Sequence, residues 1–474
     1  MKRYRSFINN EFIDNENLVK IEDVNDGTII GSIPSLSKIE IDKAYESALE
    51  GFNSWSKVSL EKRIDFMNIM KNVLIDNADE LADIMVREIA KNKKDSRIEI
   101  IRSAEYIDDT INTYIDMSKN PLSFTSEELK IKTKTAKYIL QPLGVILAIP
   151  PFNYPINLLI SKIAPAIISG NSIVIKPPTA GSIVTCRFIE LLSEKNIPNG
   201  LINLITGRGK DIGDDLVINK NISMISFTGS SGVGKNIAKK INLIPIVLEL
   251  GGKDPAIVLE DADIDLTVKE IIAGAFSYSG QRCTAIKRVL AHESINDILI
   301  EKLKVEIDKL VVDYSTNEKA NITPLINQKS LDFNLSLLED AKNNGSILHN
   351  DIKYENTLLS PVLISNVNLN AKVAWEEQFG PILPIIKFKD ISEAIDIANK
   401  SSLGLQASIF TKNLDLAEDI AIKIETGTVN INKSSSRGPD ILPFFGIKDS
   451  GFGIQGIKYA ILSMNRLKGI VNNK

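Results

Sequence analysis

Cysteine and histidine are nearly missing from this 474-residue chain, at two residues each. Cys186 and Cys283 make no disulfide framework, which points to a reducing compartment, the cytoplasm. His292 and His349, without a cysteine cluster, lack the donor set of a zinc site, so no metal is expected. An excess of one charge is missing too: 56 basic against 60 acidic residues leave a net charge of −4. That removes the electrostatic case for a nucleic-acid partner. An apolar leader is lacking, since the basic Met1-Lys2-Arg3-Tyr4-Arg5-Ser6-Phe7 runs directly into Ile8-Asn9-Asn10-Glu11. One uncharged run, Tyr138 to Ser161, approaches the length of a bilayer span, but it holds Pro142, Pro150, Pro151, Pro155 and Asn153. In lipid those prolines would leave backbone groups unsatisfied, so no membrane partner is expected and the run reads as strand, turn and helix. No internal repeat or low-complexity linker is visible.

What is present is a globular composition, 43% hydrophobic and 24% charged, over a length that exceeds one compact core. Residues 5–13 alternate around Asn9-Asn10 like a hairpin. From Ser37 to about Met117 the pattern is helical, opened by a Ser37/Glu40 capping box, with Phe66, Met70, Val73 and Leu74 at helical spacing. Glu128 to Leu140 alternates without an obvious core partner, as a β-ribbon that pairs outside its domain would. From Leu143 the rhythm becomes strand and helix in turn, with strands at 144–149, 172–176, 202–205 and 224–228 and helices at 155–169, 182–194, a short one between 205 and 224, and one from Ser230. Residues 246–463 repeat it, with strands near 255–258, 286–291, 384–388 and 406–410. The fold class is α/β, with two doubly wound domains whose ligands bind at the C-terminal ends of the strands. Cys186 falls on a helix and reads as core. The glycines of Gly207-Arg208-Gly209-Lys210-Asp211-Ile212-Gly213 have the wrong spacing for a dinucleotide fingerprint, and the stretch reads as a surface turn.

Five stretches carry candidate chemistry. In Gly280-Gln281-Arg282-Cys283-Thr284-Ala285 a thiol sits on small, turn-forming backbone beside a fixed positive charge, as a nucleophile or as a small buried hydrophobe. In Pro150-Pro151-Phe152-Asn153-Tyr154-Pro155 the Asn153 carboxamide lies between strand and helix, as an oxyanion donor or as a helix cap. Phe227-Thr228-Gly229-Ser230-Ser231-Gly232-Val233-Gly234 follows an apolar strand and fits a phosphate cradle at a helix N-terminus. In Leu248-Glu249-Leu250-Gly251-Gly252-Lys253 a carboxylate interrupts an apolar strand, as a general base or as the partner of a lysine. Glu376-Glu377-Gln378-Phe379-Gly380-Pro381 leads an acidic pair into a turn.

Taken together and in this order, these five stretches resemble the aldehyde dehydrogenase superfamily across nearly the whole chain. Tyr154 after the asparagine, Arg282 before the cysteine, and Arg437 in Ser436-Arg437-Gly438 make the chain most similar to its non-phosphorylating, NADP-dependent glyceraldehyde-3-phosphate dehydrogenases. The resemblance implies a dinucleotide-binding domain from 1–118 and 140–248, a catalytic domain from 249–463, and an oligomerisation arm from 119–139 and 464–474, in a homotetramer. It implies Cys283 as nucleophile, Asn153 as oxyanion donor and Glu249 as the base that activates water. Lys176 and Glu377 would hold the two riboses of the cofactor, Gly229, Ser230 and Gly234 the pyrophosphate, and Phe379 would lie beside the nicotinamide. NAD-preferring relatives carry a glutamate at the position of Thr179; losing that charge while keeping Lys176 admits a 2′-phosphate, so NADP is the expected cofactor. Pro150 departs from close relatives, which place a backbone N–H there. Arg102, Arg282 and Arg437, with Tyr154 and Thr284, would bind a phosphorylated aldehyde, because a dianion favours arginine forks. A carboxylate substrate uses arginines too, which keeps lactaldehyde and succinate semialdehyde as alternatives. A CoA-acylating acyltransferase is the alternative of another class, and Glu249 opposes it, because a water-activating base would waste the thioester.

Overall fold

The computed structural model describes residues 2–473, so the extreme ends of the expected 1–118 and 464–474 segments lie outside it. Two sheets organise it. The first has eight strands in the spatial order 11–13, 6–8, 202–204, 172–175, 145–149, 222–228, 246–249 and 451–452. The five from 202–204 to 246–249 are parallel, and read by position in the chain their order is third, second, first, fourth, fifth. The connections therefore reverse between Val145–Ile149 and Ile222–Thr228, and a crevice opens beyond the carboxyl ends of those two strands. Val145–Ile149 can sit there because Val145 to Ala148 are apolar and wholly buried, as a strand covered by helices on both faces requires. The second sheet has seven strands in the order 347–348, 362–365, 382–388, 288–292, 255–258, 406–410 and 428–431.

The N-terminal helices Lys38–Trp55, Leu60–Asp76, Ala78–Glu88 and Lys93–Lys119 pack on the first sheet with Asn157–Ser169 and Ile457–Ser463. The capping box is formed: Ser37 Oγ accepts from the Glu40 N–H, and the Glu40 carboxylate accepts from the Ser37 N–H. Gly170, at φ 96°, ends Asn157–Ser169 in the left-handed region, as glycine permits.

Two sequence expectations are corrected. The short helix expected after 202–205 is Gly209–Val217, and it takes in most of the 207–213 stretch expected as a surface turn; Ile212, Leu216 and Val217 give it a buried face that glycine spacing does not report. The ribbon strand begins at Lys134 rather than near 128, because Glu128 accepts hydrogen bonds from the Thr125 N–H and hydroxyl and closes a turn. Its partner is the C-terminal strand Asn465–Asn473, paired antiparallel with Lys134–Pro142. The expected division at 248/249 falls inside Ile246–Glu249, which belongs to the first sheet, and Gly451–Phe452 and Ile457–Ser463 pack with that sheet as well. Among the described residues no helix is long and apolar enough to cross a membrane.

Candidate active site

Cys283 stands on a backbone that few sequences can adopt. Tyr278, Ser279 and Gly280 take φ of 49°, 56° and 73° in succession. Such strain persists only where the surroundings fix it. Tyr278 donates its hydroxyl to Ile89 O at 2.7 Å, and Ser279 Oγ donates to Thr323 O and accepts from Thr323 N, both at 2.8 Å. Buried Gln281 accepts from the Ile326 N–H at 2.9 Å. At Gly280 a Cβ would lie 2.5 Å from Gly380 O, so only glycine fits. Beyond the loop, Lys287 is buried and donates to Arg282 O at 2.9 Å and Cys283 O at 2.8 Å, while pairing with Glu377 Oε1 at 3.1 Å. Lys287 was not a sequence candidate; four residues past the cysteine in an apolar strand, it carries no pattern that separates it from a surface lysine.

Burial pushes the Cys283 thiol up to about 12, and the Glu249 charge adds to the rise, while Lys287 and Arg437 oppose it. The activating charge expected from Arg282 is not delivered. Its guanidinium donates to Gly274 O at 2.7 Å, so it tethers the loop to the end of a helix.

Asn153 is buried on the loop beyond Val145–Ile149, at the crevice. Its carboxamide donates to Gln281 O at 2.8 Å, two residues before the thiol. A carboxamide has two N–H donors, so one remains for a ligand. The Cys283 backbone N–H is likewise without an acceptor among the described residues. The Asn153 loop is held from beneath by a buried ion pair, Lys91 Nζ to Glu99 Oε2 at 2.6 Å. Lys91 also donates to Asn153 O at 3.2 Å, and Glu99 Oε1 accepts the N–H groups of Ile156 and Asn157, both at 3.0 Å. Tyr154 turns its ring to Lys91, with Nζ 3.7 Å from the ring centroid.

Glu249, at the end of its strand, is buried but not bare, and its partner is not a lysine. Arg437 Nη1 meets Oε1 at 2.5 Å, and Thr228 Oγ1 donates to Oε2 at 3.1 Å. Lys162 Nζ donates to the same hydroxyl at 2.7 Å, and burial pulls that ammonium down to about 8. Arg437 continues the network through Gln455 Oε1 at 2.7 Å and Asp440 Oδ1 at 3.7 Å; Asp440 Oδ2 in turn holds Arg102 at 2.9 Å. Arg102 and Arg437 share the lining of a cavity of about 450 Å³ with Glu105, Tyr106 and Asp109. The Tyr106 hydroxyl is buried there without a partner. Of the five groups expected on a phosphorylated substrate, these two arginines meet; Tyr154, Arg282 and Thr284 are not in that lining. Thr284 is buried, and its carbonyl accepts from Ser435 Oγ at 3.0 Å, which ties the thiol loop to the Arg437 loop.

On the other side of the crevice, Ser230 precedes the helix Ser231–Lys240 without capping it, leaving the first N–H groups for a ligand. The neighbouring glycines have a packing reason of their own: a Cβ at Gly229 would meet the Phe227 ring at 2.5 Å, and one at Gly234 would meet Leu250 at 2.5 Å. Lys176 directly follows its strand and is buried, and burial pulls its ammonium down to about 8; that ammonium has no hydrogen-bond partner among the described residues. Its Nζ is 3.9 Å from where a Gly209 Cβ would lie. Thr179 shares a cavity with Arg208, a further cation that the sequence reading left in a turn. Nearby Glu88 accepts the N–H groups of Ile183 and Val184, and burial raises it to about 7. An unpaired amine, a hydroxyl, a guanidinium and a free helix start suit a dinucleotide bearing a 2′-phosphate. Glu377 is engaged by Lys287 and the Gly252 N–H at 3.1 Å, and Phe379 lies edge-on to Phe152 at 6.0 Å.

Comparison with known proteins adds four findings. The family model described as "Aldehyde dehydrogenase family" matches residues 12–470. An NADP-dependent glyceraldehyde-3-phosphate dehydrogenase of Streptococcus equinus is 44% identical over 470 residues, 99% of this chain and 98% of that protein. The crystal structure of an NADP-dependent glyceraldehyde-3-phosphate dehydrogenase from Bacillus halodurans C-125, complexed with NADP, superposes with a TM-score of 0.97 at 42% identity and covers 100% of both chains. A lactaldehyde dehydrogenase of Methanococcus aeolicus is 36% identical over 98% of this chain and 99% of its own length.

Proposed function

The chain belongs to the aldehyde dehydrogenase family, and from that premise we propose that it oxidises glyceraldehyde 3-phosphate to 3-phosphoglycerate with NADP and without inorganic phosphate. The observation that carries the reading is the meeting, around one strained loop, of the Cys283 thiol, the Asn153 carboxamide and the Glu249 carboxylate from opposite sides of the crevice. The names of the relatives from Streptococcus equinus and Bacillus halodurans support the substrate and cofactor.

The Cys283 sulfur, once deprotonated, bonds to the aldehyde carbon, and the oxygen becomes an oxyanion. The free Asn153 N–H and the Cys283 backbone N–H receive it. Lys176, Thr179 and Arg208 would hold the adenosine end of the cofactor, Ser230 and the following helix start its pyrophosphate, and Glu377 and Phe379 its nicotinamide end. When bound, the nicotinamide takes up the hydride that leaves the aldehyde carbon. A thioester remains on Cys283. Glu249 takes a proton from water, the water oxygen bonds to the thioester carbon, and the C–S bond breaks to release the acid and the thiolate. Arg102 and Arg437, with Tyr106 beside them, would receive the substrate phosphate.

The division of labour between a dinucleotide-binding and a catalytic unit belongs to the same proposal, as does a cytoplasmic location. Exposed Leu467, Ile470 and Val471 on the ribbon formed with Lys134–Pro142 favour a homo-oligomer, for which we propose a tetramer. The runner-up is a lactaldehyde dehydrogenase, favoured by the Methanococcus relative. Steady-state rates separate the two. Glyceraldehyde 3-phosphate with NADP, free of inorganic phosphate, should exceed lactaldehyde or unphosphorylated glyceraldehyde in kcat/KM by at least about a hundredfold, the worth of one or two charged hydrogen bonds. Comparable values would overturn the substrate.

A further inference from the structure

Each oxygen of the base has a partner in this structure, and one of those partners is an expected phosphate ligand. Glu249 Oε1 is held by Arg437 Nη1 at 2.5 Å, and Oε2 takes the Thr228 hydroxyl at 3.1 Å. Arg437 fixes the carboxylate through Oε1, so turning the side chain toward an attacking water must break that contact. Arg437 itself bridges three acceptors: Glu249, Gln455 Oε1 at 2.7 Å and Asp440 Oδ1 at 3.7 Å. Its guanidinium lies 4.9 Å from the Phe444 ring centroid, a flat apolar support along which a planar group can turn. The same arginine lines the cavity that Arg102 and the unpartnered Tyr106 hydroxyl share. That orphaned, buried hydroxyl is the second sign that the cavity is built for a polar guest.

We propose that Arg437 is a latch on the general base and that the substrate's own phosphate releases it. The inference rests on the reading of the substrate as a phosphorylated aldehyde. A phosphate dianion entering beside Arg102 and Tyr106 competes with the Glu249 and Asp440 carboxylates for the guanidinium fork, and its higher charge wins. Arg437 then turns from Glu249 to the phosphate, and the freed carboxylate takes the proton of the attacking water. The thioester carbon gains the water oxygen and loses the Cys283 sulfur, which leaves as thiolate. An aldehyde without the dianion still acylates Cys283 and still reduces the cofactor, but its thioester waits behind a covered base. Arg437 thereby acts as a positioning and specificity residue for hydrolysis rather than for capture alone.

The test separates acylation from hydrolysis, using the intact enzyme with NADP. With unphosphorylated glyceraldehyde, rapid mixing should show a burst of one NADPH per site followed by slow turnover. Phosphite dianion, added as the missing piece of the substrate, should raise the slow phase roughly 10- to 100-fold, the worth of one charged hydrogen bond, and leave the burst rate little changed. Arg437→Leu should speed the slow phase with glyceraldehyde and abolish its response to phosphite, whereas Arg437→Lys should keep part of the response. If phosphite leaves the slow phase of the wild type unchanged while glyceraldehyde 3-phosphate is still preferred, the latch is overturned and the substrate stands. If glyceraldehyde 3-phosphate is not preferred at all, the substrate reading itself fails.

Discussion

Replacing Glu99 by glutamine should destabilise the protein and slow its chemistry together, although Glu99 touches none of the reacting groups. The side chains of Lys91 and Glu99 are 2% and 1% exposed, and their contact is 2.6 Å. Removing one charge of such a pair typically costs about 3–5 kcal/mol, because the other is left buried and uncompensated. Here the cost should lie near the lower end, since Lys91 keeps Asn153 O at 3.2 Å and the ring faces of Tyr154 and Tyr278 at 3.7 and 5.1 Å. Unfolding entropy for a chain of this length is about 1 kcal/mol per kelvin, so ~3 kcal/mol lowers Tm by roughly 3 °C. Glutamine still accepts the Ile156 and Asn157 N–H groups through its carbonyl oxygen, so the helix start should hold while the ammonium pulls the Asn153 loop out of place. A misplaced oxyanion donor lowers kcat by up to about 10²–10³-fold. Calorimetry at one fixed scan rate, with kcat on the same preparations, measures both. The double variant Lys91→Met with Glu99→Gln should recover most of the Tm, because an apolar replacement leaves no charge stranded. A single variant within 1 °C of the parent, or a double variant worse than the single, would refute the reasoning.

Three further outcomes follow from the site. Because burial holds the Cys283 thiol near 12, its alkylation by iodoacetamide in the free enzyme should keep rising about tenfold per pH unit from 7 to 10 without a plateau, and Glu249→Gln, which removes a charge that raises it, should speed alkylation at pH 8; a plateau below pH 9 would show the thiolate to be already favoured. The Lys176 ammonium of the free enzyme titrates near 8, and its charged form is the one that meets an anionic cofactor, so Kd for NADP should be flat below pH 8 and weaken as pH rises above it, as isothermal titration in buffers of equal ionic strength would record. Thr179→Glu should weaken NADP more than NAD, by about 1–3 kcal/mol, through repulsion of the 2′-phosphate; equal losses for both cofactors would place Thr179 away from it.

The alternation of apolar strands and helices, the capping box at Ser37 and Glu40, and the order of five short motifs were legible in the sequence because each is a local pattern, set by backbone period or by neighbours a few residues apart. They were enough to name the α/β class and to propose Cys283, Asn153 and Glu249 as the reacting groups. What only the tertiary structure decided is which charges meet. Arg437 reaches Glu249 across 188 positions of chain, Asp440 takes Arg102 across 338, and Lys91 braces Asn153 across 62. No local pattern encodes such pairs, since an arginine fork or an ammonium is satisfied by whichever carboxylate or carbonyl the fold delivers. For the same reason Arg282 looked like an activator of the thiol and is a tether, and Lys287 and Tyr106 looked like nothing. A side chain's identity fixes what it can bond to; its partner is fixed only when burial removes water as the alternative.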